Sequence, residues 1–240
     1  MDINKKYDIQ NNEIIMPATL RITETFESLD GEVSPFHQGR ISVFIRMAGC
    51  QLACVWCDSA YAQKTSETDR IIESAYQIDK FINFLLSKYT SKKYTITGGE
   101  PLMQEEGVNY LVQGLRKQGM LITIETNGSI KPNYKIDCPE VSYIVDYKLP
   151  SSGMEKHMNP WWWEGGLSNR DVLKMVIGSY DDYKRARQLI RETFSVLPCI
   201  IALQPILATI DTRLLLEWMI RDKLTSPIIS IQIQKILHLK

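Results

Sequence analysis

The stretch Ile41-Ser42-Val43-Phe44-Ile45-Arg46-Met47-Ala48-Gly49-Cys50-Gln51-Leu52-Ala53-Cys54-Val55-Trp56-Cys57 sets a β-branched run directly before three cysteines. The run Ile41–Arg46 reads as a strand, because Ile, Val and Phe suit an extended, pleated backbone. Similar short runs recur down the chain, at Tyr94–Thr97, Leu121–Glu125, Val141–Asp146, Val172–Ile177, Ile200–Leu203 and Ile228–Ile233. Helical stripes lie between them, with apolar residues three and four apart: Ile71, Ala75, Ile78, Ile82 and Leu85; Val108, Leu111, Val112 and Leu115; Tyr183, Ala186 and Ile190; Leu214, Leu215, Trp218 and Met219. Strand–helix–strand alternation predicts an α/β fold of parallel strands joined by crossover helices, as a complete or partial (incomplete) TIM-like barrel or an open sheet. In either arrangement, residues just after a strand face the active site.

The chain reads as one domain. Its 240 residues and 44% apolar content suffice for a full core. The first 40 residues are the least regular, and 1–18 read as a polar extension. Lys plus Arg, at 28, equals Asp plus Glu, at 28, which argues against a general nucleic-acid or membrane-surface binder. Met1–Asn12 has no apolar centre of the kind a signal peptide carries. The longest apolar stretch, Val196–Ile210, is interrupted by Pro198, Gln204 and Pro205 and is too short to span a bilayer. A soluble, cytoplasmic protein is expected. The segment 151–170 contains Trp161-Trp162-Trp163 and has no helical stripe. It reads either as a loop whose tryptophans pack on the body or on a second subunit, or as a lid over a substrate.

Three of the five cysteines fall within eight residues, a pattern of metal binding rather than of a secreted disulfide framework. Thiolate is a soft ligand, so zinc, iron–sulfur and copper(I) are the choices. Structural zinc needs a fourth ligand, and His37, His157 and His238 are not at finger spacing; Cys138 and Cys199 are remote in sequence. Three ligands alone suit an iron–sulfur cubane with one open iron, whereas electron-transfer clusters are fully ligated. Other polar motifs also sit at strand ends. Thr97-Gly98-Gly99-Glu100-Pro101 allows close backbone approach. Glu125-Thr126-Asn127-Gly128 and Asp146-Tyr147-Lys148 are placed for ribose or carboxylate contacts, or for ordinary turns and salt bridges.

CxxxCxxC after a strand, followed by Gly-Gly-Glu-Pro at the next strand end, closely resembles the radical S-adenosylmethionine (SAM) superfamily. Within it the chain looks like the 7-carboxy-7-deazaguanine synthases. The resemblance runs nearly end to end, through Leu29-Asp30-Gly31-Glu32, Arg46, Trp56-Cys57-Asp58-Ser59, Ile96–Pro101, Glu125–Gly128, Lys148–Gly153, Ile201–Ile206 and Gln232–Lys235. It implies a [4Fe–4S] cluster on Cys50, Cys54 and Cys57 that cleaves SAM to a 5′-deoxyadenosyl radical. That radical takes a hydrogen from 6-carboxy-5,6,7,8-tetrahydropterin. The ring contracts, SAM is regenerated, and ammonia leaves to give 7-carboxy-7-deazaguanine, a precursor in queuosine and 7-deazapurine biosynthesis.

The resemblance also implies roles. Trp56, Cys57, Asp58, Gly98, Gly99, Glu100, Thr126, Asn127, Asp146, Tyr147, Lys148 and Gln204 fall to SAM. Leu29, Asp30, Gly31, Glu32, Arg46 and Thr97 fall to the substrate; a guanidinium such as that of Arg46 can donate two parallel hydrogen bonds to a carboxylate. Ser59 falls to Mg²⁺, a hard cation that takes oxygen ligands. No side chain is assigned as catalytic, since the radical arises at the cluster. An electron donor such as flavodoxin or ferredoxin and a homodimer are further implications. Asp30 stands where the family usually has Gln, Asp146-Tyr147 where many members have Ser-Pro, and Gln234 where some members have His. Two other readings of the cysteine motif are an activating enzyme for a glycyl-radical protein and a zinc-stabilised binding module.

Overall fold

The computed structural model describes residues 8–10, 13–66 and 68–239, with side chains from residue 20 onward. The chain runs β1 (Asp8–Gln10), β2 (Glu13–Asp30), β3 (Arg40–Met47), β4 (Arg70–Ser74), α1 (Ala75–Lys88), β5 (Lys93–Gly98), α2 (Glu105–Lys117), β6 (Leu121–Thr126), β7 (Val141–Tyr147), β8 (Val172–Ile177), α3 (Tyr180–Glu192), β9 (Ile200–Pro205), α4 (Thr212–Arg221), β10 (Ile228–Ile229) and α5 (Ile233–Ile236). All ten strands join one sheet in the order β1-β2-β3-β5-β6-β7-β8-β9-β10, with β4 also paired to β2. The seven strands from β3 to β10 are parallel, as the alternation predicts. The sheet curls into an incomplete barrel: α5, beyond the last strand, packs against β2 on the far edge.

The faces of the sheet differ sharply. Val43, Ile45, Met47, Tyr94, Ile96, Ile122, Ile124, Leu173, Met175, Ile177 and Leu203 are buried against the helices and form the main core. The alternate positions point into the lumen, where Ile144, Val172 and Ala202, with Ile200, make a small apolar plug. Around and above that plug the lumen is polar, with Asp30, Ser42, Lys93, Thr95, Thr97, Thr123, Ser142 and Lys174 buried.

Four expectations need correction. The N-terminal region is not irregular: β2 is an 18-residue strand antiparallel to β3, and 8–10 and 13–18 of the expected extension are strand, the rest lying outside the described residues. It escapes a hydropathy reading because Glu24, Phe26 and Asp30 face the polar lumen, so no apolar alternation marks it. Ile71 belongs to β4, paired with Arg21, rather than to the helical stripe. Ser74 ends that strand and caps α1 by accepting from the Gln77 N–H at 3.3 Å. The run 228–233 contributes only two strand residues before α5 begins.

Crossovers also vary. No α-helix joins β6 to β7 or β7 to β8. The outer face of β7 is covered instead by the tryptophan segment: Trp162 packs on Tyr143 (5.9 Å between ring centres) and Trp163 on Tyr147 (5.3 Å). Trp162 is fully buried and donates its indole N–H to the Ile130 carbonyl at 3.0 Å. The tryptophans therefore do a crossover helix's packing and are turned away from the lumen, in accord with the packing reading and not with a lid. No helix among the described residues is long and apolar enough to cross a membrane.

Candidate active site

One cavity of about 700 Å³ opens at the carboxyl ends of the parallel strands, where the strand-end rule puts it. Cys50, Cys54 and Cys57 line it together, on the loop that follows β3. The loop is held on three sides. The Gly49 and Cys50 N–H groups donate to Ala62 and Gln63 carbonyls at 2.8 and 3.0 Å. Glycines Gly98 and Gly99 bring the end of β5 against it: a Cβ on Gly98 would lie 2.3 Å from the Met47 backbone, and one on Gly99 2.0 Å from the Gly49 carbonyl. The head of the tryptophan segment grips the third side, with Val55 N–H on the Ser152 carbonyl (3.1 Å) and the Trp56 indole on Ser151 (3.1 Å).

The cysteines suit a metal centre chemically. All three are free and half-buried. Burial chiefly pushes the Cys50 and Cys54 thiols above their ordinary range, and Lys148 opposes this at Cys54. Positive charge at the loop is what a thiolate there requires, and a metal cluster supplies it. The Asn127 amide already donates to Cys50 Sγ at 3.5 Å. Among the described residues no three His, Cys, Asp or Glu side chains are gathered into a ready coordination set, so the sulfurs share a loop and a cavity rather than a preformed centre.

Two charged networks floor the lumen. Asp30 is fully buried, and its carboxylate accepts from Lys93 Nζ (2.9 Å), Thr95 Oγ1 (2.7 Å) and the Glu32 N–H (3.0 Å). Lys174 Nζ lies 3.0 Å from Glu32 Oε1 and 3.1 Å from Asp146 Oδ1, while Lys148 Nζ takes Asp146 Oδ2 at 2.5 Å. Burial raises the Asp146 carboxyl, but Lys148 and Lys174 outweigh it and hold the group below its usual range. Glu125 differs. Burial, then the neighbouring Glu32, pushes its carboxyl up to about 8; Thr97 Oγ1 donates to its Oε2 at 2.7 Å. At the mouth, Arg46 Nε donates to Glu24 Oε1 at 2.9 Å, and the Tyr61 hydroxyl donates to the same oxygen at 2.7 Å. The guanidinium sits 5.7 Å from both the Phe26 and Tyr61 ring centres.

A chain of this length with three cysteines on one such cavity has close curated relatives. It is 33% identical to the 7-carboxy-7-deazaguanine synthase of Clostridium acetobutylicum over 219 residues, which is 90% of this chain and 95% of the relative. The chain belongs to the 7-carboxy-7-deazaguanine synthase family. The same family's member from Chlorobaculum tepidum is 34% identical over 86% of this chain and 89% of its own. Residues 38–147 match the family model of a 4Fe-4S single cluster domain. The crystal structure of QueE from Escherichia coli superposes with a TM-score of 0.66 at 26% identity, covering 89% of this chain and 94% of that one. These synthases are radical SAM enzymes, so a [4Fe–4S] cluster and SAM are the cofactors of this fold, and the zinc-module and activating-enzyme readings fall away.

Most residues expected at the site of such a synthase do line the cavity: Asp30, Gly31, Glu32, Arg46, Trp56, Asp58, Ser59, Thr97, Gly98, Gly99, Thr126, Asn127, Asp146, Lys148 and Gln204 with the three cysteines. Three do not. Tyr147 points outward by strand alternation, onto Trp163 and Phe194. Leu29 likewise alternates away from Asp30, its backbone paired with Ile41. Glu100 is fully buried behind the wall, accepting from Leu102 N–H (2.9 Å), Thr126 Oγ1 (2.8 Å) and Asn127 N–H (2.7 Å). Burial pushes its carboxyl up to about 7. Glu100 thus ties the ends of β5 and β6 together rather than facing a ligand.

Several lining residues were not anticipated: Phe26, Phe44, Tyr61 and Lys174. Lys174 carried a readable signal, as the one charged residue inside the otherwise apolar run Val172-Leu173-Lys174-Met175-Val176-Ile177. A lysine buried in a strand needs a paired acid, which marks a polar interior.

Proposed function

We propose that this chain converts 6-carboxy-5,6,7,8-tetrahydropterin to 7-carboxy-7-deazaguanine and ammonia in 7-deazapurine biosynthesis. The observation that carries this reading is the set of unsatisfied acceptors on the cavity wall. Glu32 Oε2 and Gln234 Oε1 are buried without a hydrogen-bond donor. Orphaned acceptors are costly, so a ligand rich in N–H groups, such as the amino-pyrimidine edge of a pterin, fits them.

Cys50, Cys54 and Cys57 hold the cluster in this reading. Trp56, Asp58, Gly98, Gly99, Thr126, Asn127, Asp146, Lys148 and Gln204 surround SAM. With both bound, the pair supplies one-electron, hydrogen-abstracting chemistry. The chain's own residues bind and orient. Arg46, held by Glu24 at Nε, turns its remaining edge to the substrate carboxylate, a pairing that favours a planar guanidinium. Glu32 and Gln234 accept from the ring, and the protonated Glu125 donates to a ring oxygen or nitrogen. The segment after β10 closes the mouth, since Gln38 Nε2 donates to both the Gly31 and Ile231 carbonyls (2.7 and 2.8 Å) and Lys235 pairs with Asp58 at 2.9 Å. Ser59 would supply a hydroxyl to Mg²⁺, a hard cation that takes oxygen ligands. A flavodoxin or ferredoxin supplies the electron, and the working form is a cytoplasmic homodimer.

The deciding experiment is anaerobic reconstitution with iron and sulfide, followed by assay with SAM, Mg²⁺, dithionite and the carboxypterin. Formation of 7-carboxy-7-deazaguanine with SAM not consumed is expected, and its absence from cluster-loaded protein refutes the proposal. Ser59→Ala is expected to keep the iron content and lose most of the Mg²⁺ response; an unchanged Mg²⁺ titration removes Ser59 from the cation site.

A further inference from the structure

We propose that Lys174 is a positioning residue that couples the SAM half of the cavity to the substrate half. The inference rests on the functional reading above, and no expected role had fallen to this residue.

Lys174 occupies the centre of the lumen face of β8, directly beside Asp146 in the register of β7 and β8. Its single ammonium is shared between two carboxylates from distant parts of the chain: Glu32 Oε1 at 3.0 Å and Asp146 Oδ1 at 3.1 Å. Each acid belongs to a different half of the site. Asp146 is bound through its other oxygen to Lys148, whose ammonium stands 5.3 Å from the Trp56 ring centre on the cysteine loop. Glu32 lies two residues beyond the end of β2, and its backbone N–H is fixed by the Asp30 carboxylate. A continuous string of alternating charge therefore runs from the cysteine loop through Lys148, Asp146, Lys174 and Glu32 to the substrate segment.

The ammonium stays charged in this setting. Burial opposes the charge, but Asp146 and Glu32 outweigh it and raise the Lys174 pKa well above its ordinary value. Glu32 also retains an acceptor atom with no hydrogen-bond donor, its Oε2. A ligand that takes Glu32 Oε2 shifts that carboxylate, and the shared ammonium transmits the shift to Asp146. Such coupling is reciprocal by thermodynamic necessity.

The test uses cluster-loaded protein under anaerobic conditions without reductant, so that nothing turns over. Binding of 6-carboxytetrahydropterin is measured by calorimetry with and without saturating SAM, for the wild type, Lys174→Met and Lys174→Arg. In the wild type SAM is expected to tighten pterin binding by about fivefold or more, the lower end of ordinary coupling. In Lys174→Met the ratio is expected to fall to near one, and Lys174→Arg is expected to restore it, because a guanidinium can also bridge two carboxylates. A wild-type ratio of one, or a wild-type ratio retained in Lys174→Met, overturns the proposal. Where Lys174→Met does not fold or load its cluster, Lys174→Gln answers the same question. Turnover of the wild type is measured first: its failure sinks the functional reading, whereas normal turnover with unaltered coupling in the variant sinks this inference alone.

Discussion

The Asp30–Lys93 pair offers the sharpest test of how the lumen is built. The two side chains are 1% and 0% exposed and meet at 2.9 Å. Lys93→Met removes the ammonium and leaves Asp30 with only the Thr95 hydroxyl and the Glu32 N–H. Breaking a buried pair from one side costs about 3–5 kcal/mol, because a buried charge is left uncompensated. For a domain of this size each kcal/mol moves the melting temperature by about 2–4 °C, so a fall of roughly 6–20 °C is expected. Asp30→Asn alone strands Lys93 and carries a similar cost. The double variant Asp30→Asn/Lys93→Met has no buried charge at this pair and keeps an acceptor for Thr95, so it is expected to melt within a few degrees of wild type. Thermal unfolding of the four proteins, anaerobic and matched in cluster content, measures this. Additive losses, with the double variant falling by the sum of the singles, refute the view that the two residues form one compensated unit.

Other expectations follow from the same geometry. Because the Glu125 carboxyl is raised to about 8, the folded protein keeps a proton that the unfolded chain loses near 4.5. The stability it contributes is complete at low pH and lost as pH rises through 8. Wild type is expected to lose up to about 1.4 kcal/mol per pH unit relative to Glu125→Gln between pH 6 and 8, and parallel melting curves of the two proteins against pH contradict this. Trp162→Ala is expected to cost about 3–5 kcal/mol in urea unfolding while leaving the turnover of folded enzyme near wild type; a selective fall in turnover restores the lid reading. Gly31→Ala places a Cβ 1.6 Å from Gln234 Oε1 and displaces that flexible amide from the cavity. One lost hydrogen bond predicts a KM for the pterin raised about two- to tenfold with little change in melting temperature, and an unaltered KM removes Gln234 from the substrate contacts.

The parallel strands were legible because their outward faces carry one unbroken apolar code. Val172–Ile177 is predicted residue for residue, and the other runs of the barrel agree within a residue or two at most ends. The helices α2 and α3 were equally clear, since one stripe of each is buried and the rest is solvated. β2 was not, because it mixes Glu, Thr, Ser and Asp on a strand whose inner face meets water and ligand rather than core. The tryptophan segment was ambiguous for a related reason: aromatic residues mark an apolar contact without saying which surface provides it, and only the absence of a helix over β7 explains the choice.

By itself the sequence determined the α/β class, the cysteine loop at a strand end and the family to which the motifs point, because each depends on residues close together in the chain. Tertiary structure alone decided which side chains face the lumen and what they touch. Asp30 reads as a substrate contact in isolation, yet Lys93 and Thr95, more than sixty positions away, claim its carboxylate. Glu100 reads as a cofactor contact, yet Thr126 and Asn127 turn it into a tie between strands. Lys174 acquires its place only when Glu32 and Asp146 arrive on either side of it. The reason is physical: a local motif specifies backbone shape and donor type, but the charge and hydrogen-bond balance of a buried site is set by partners that sequence distance conceals.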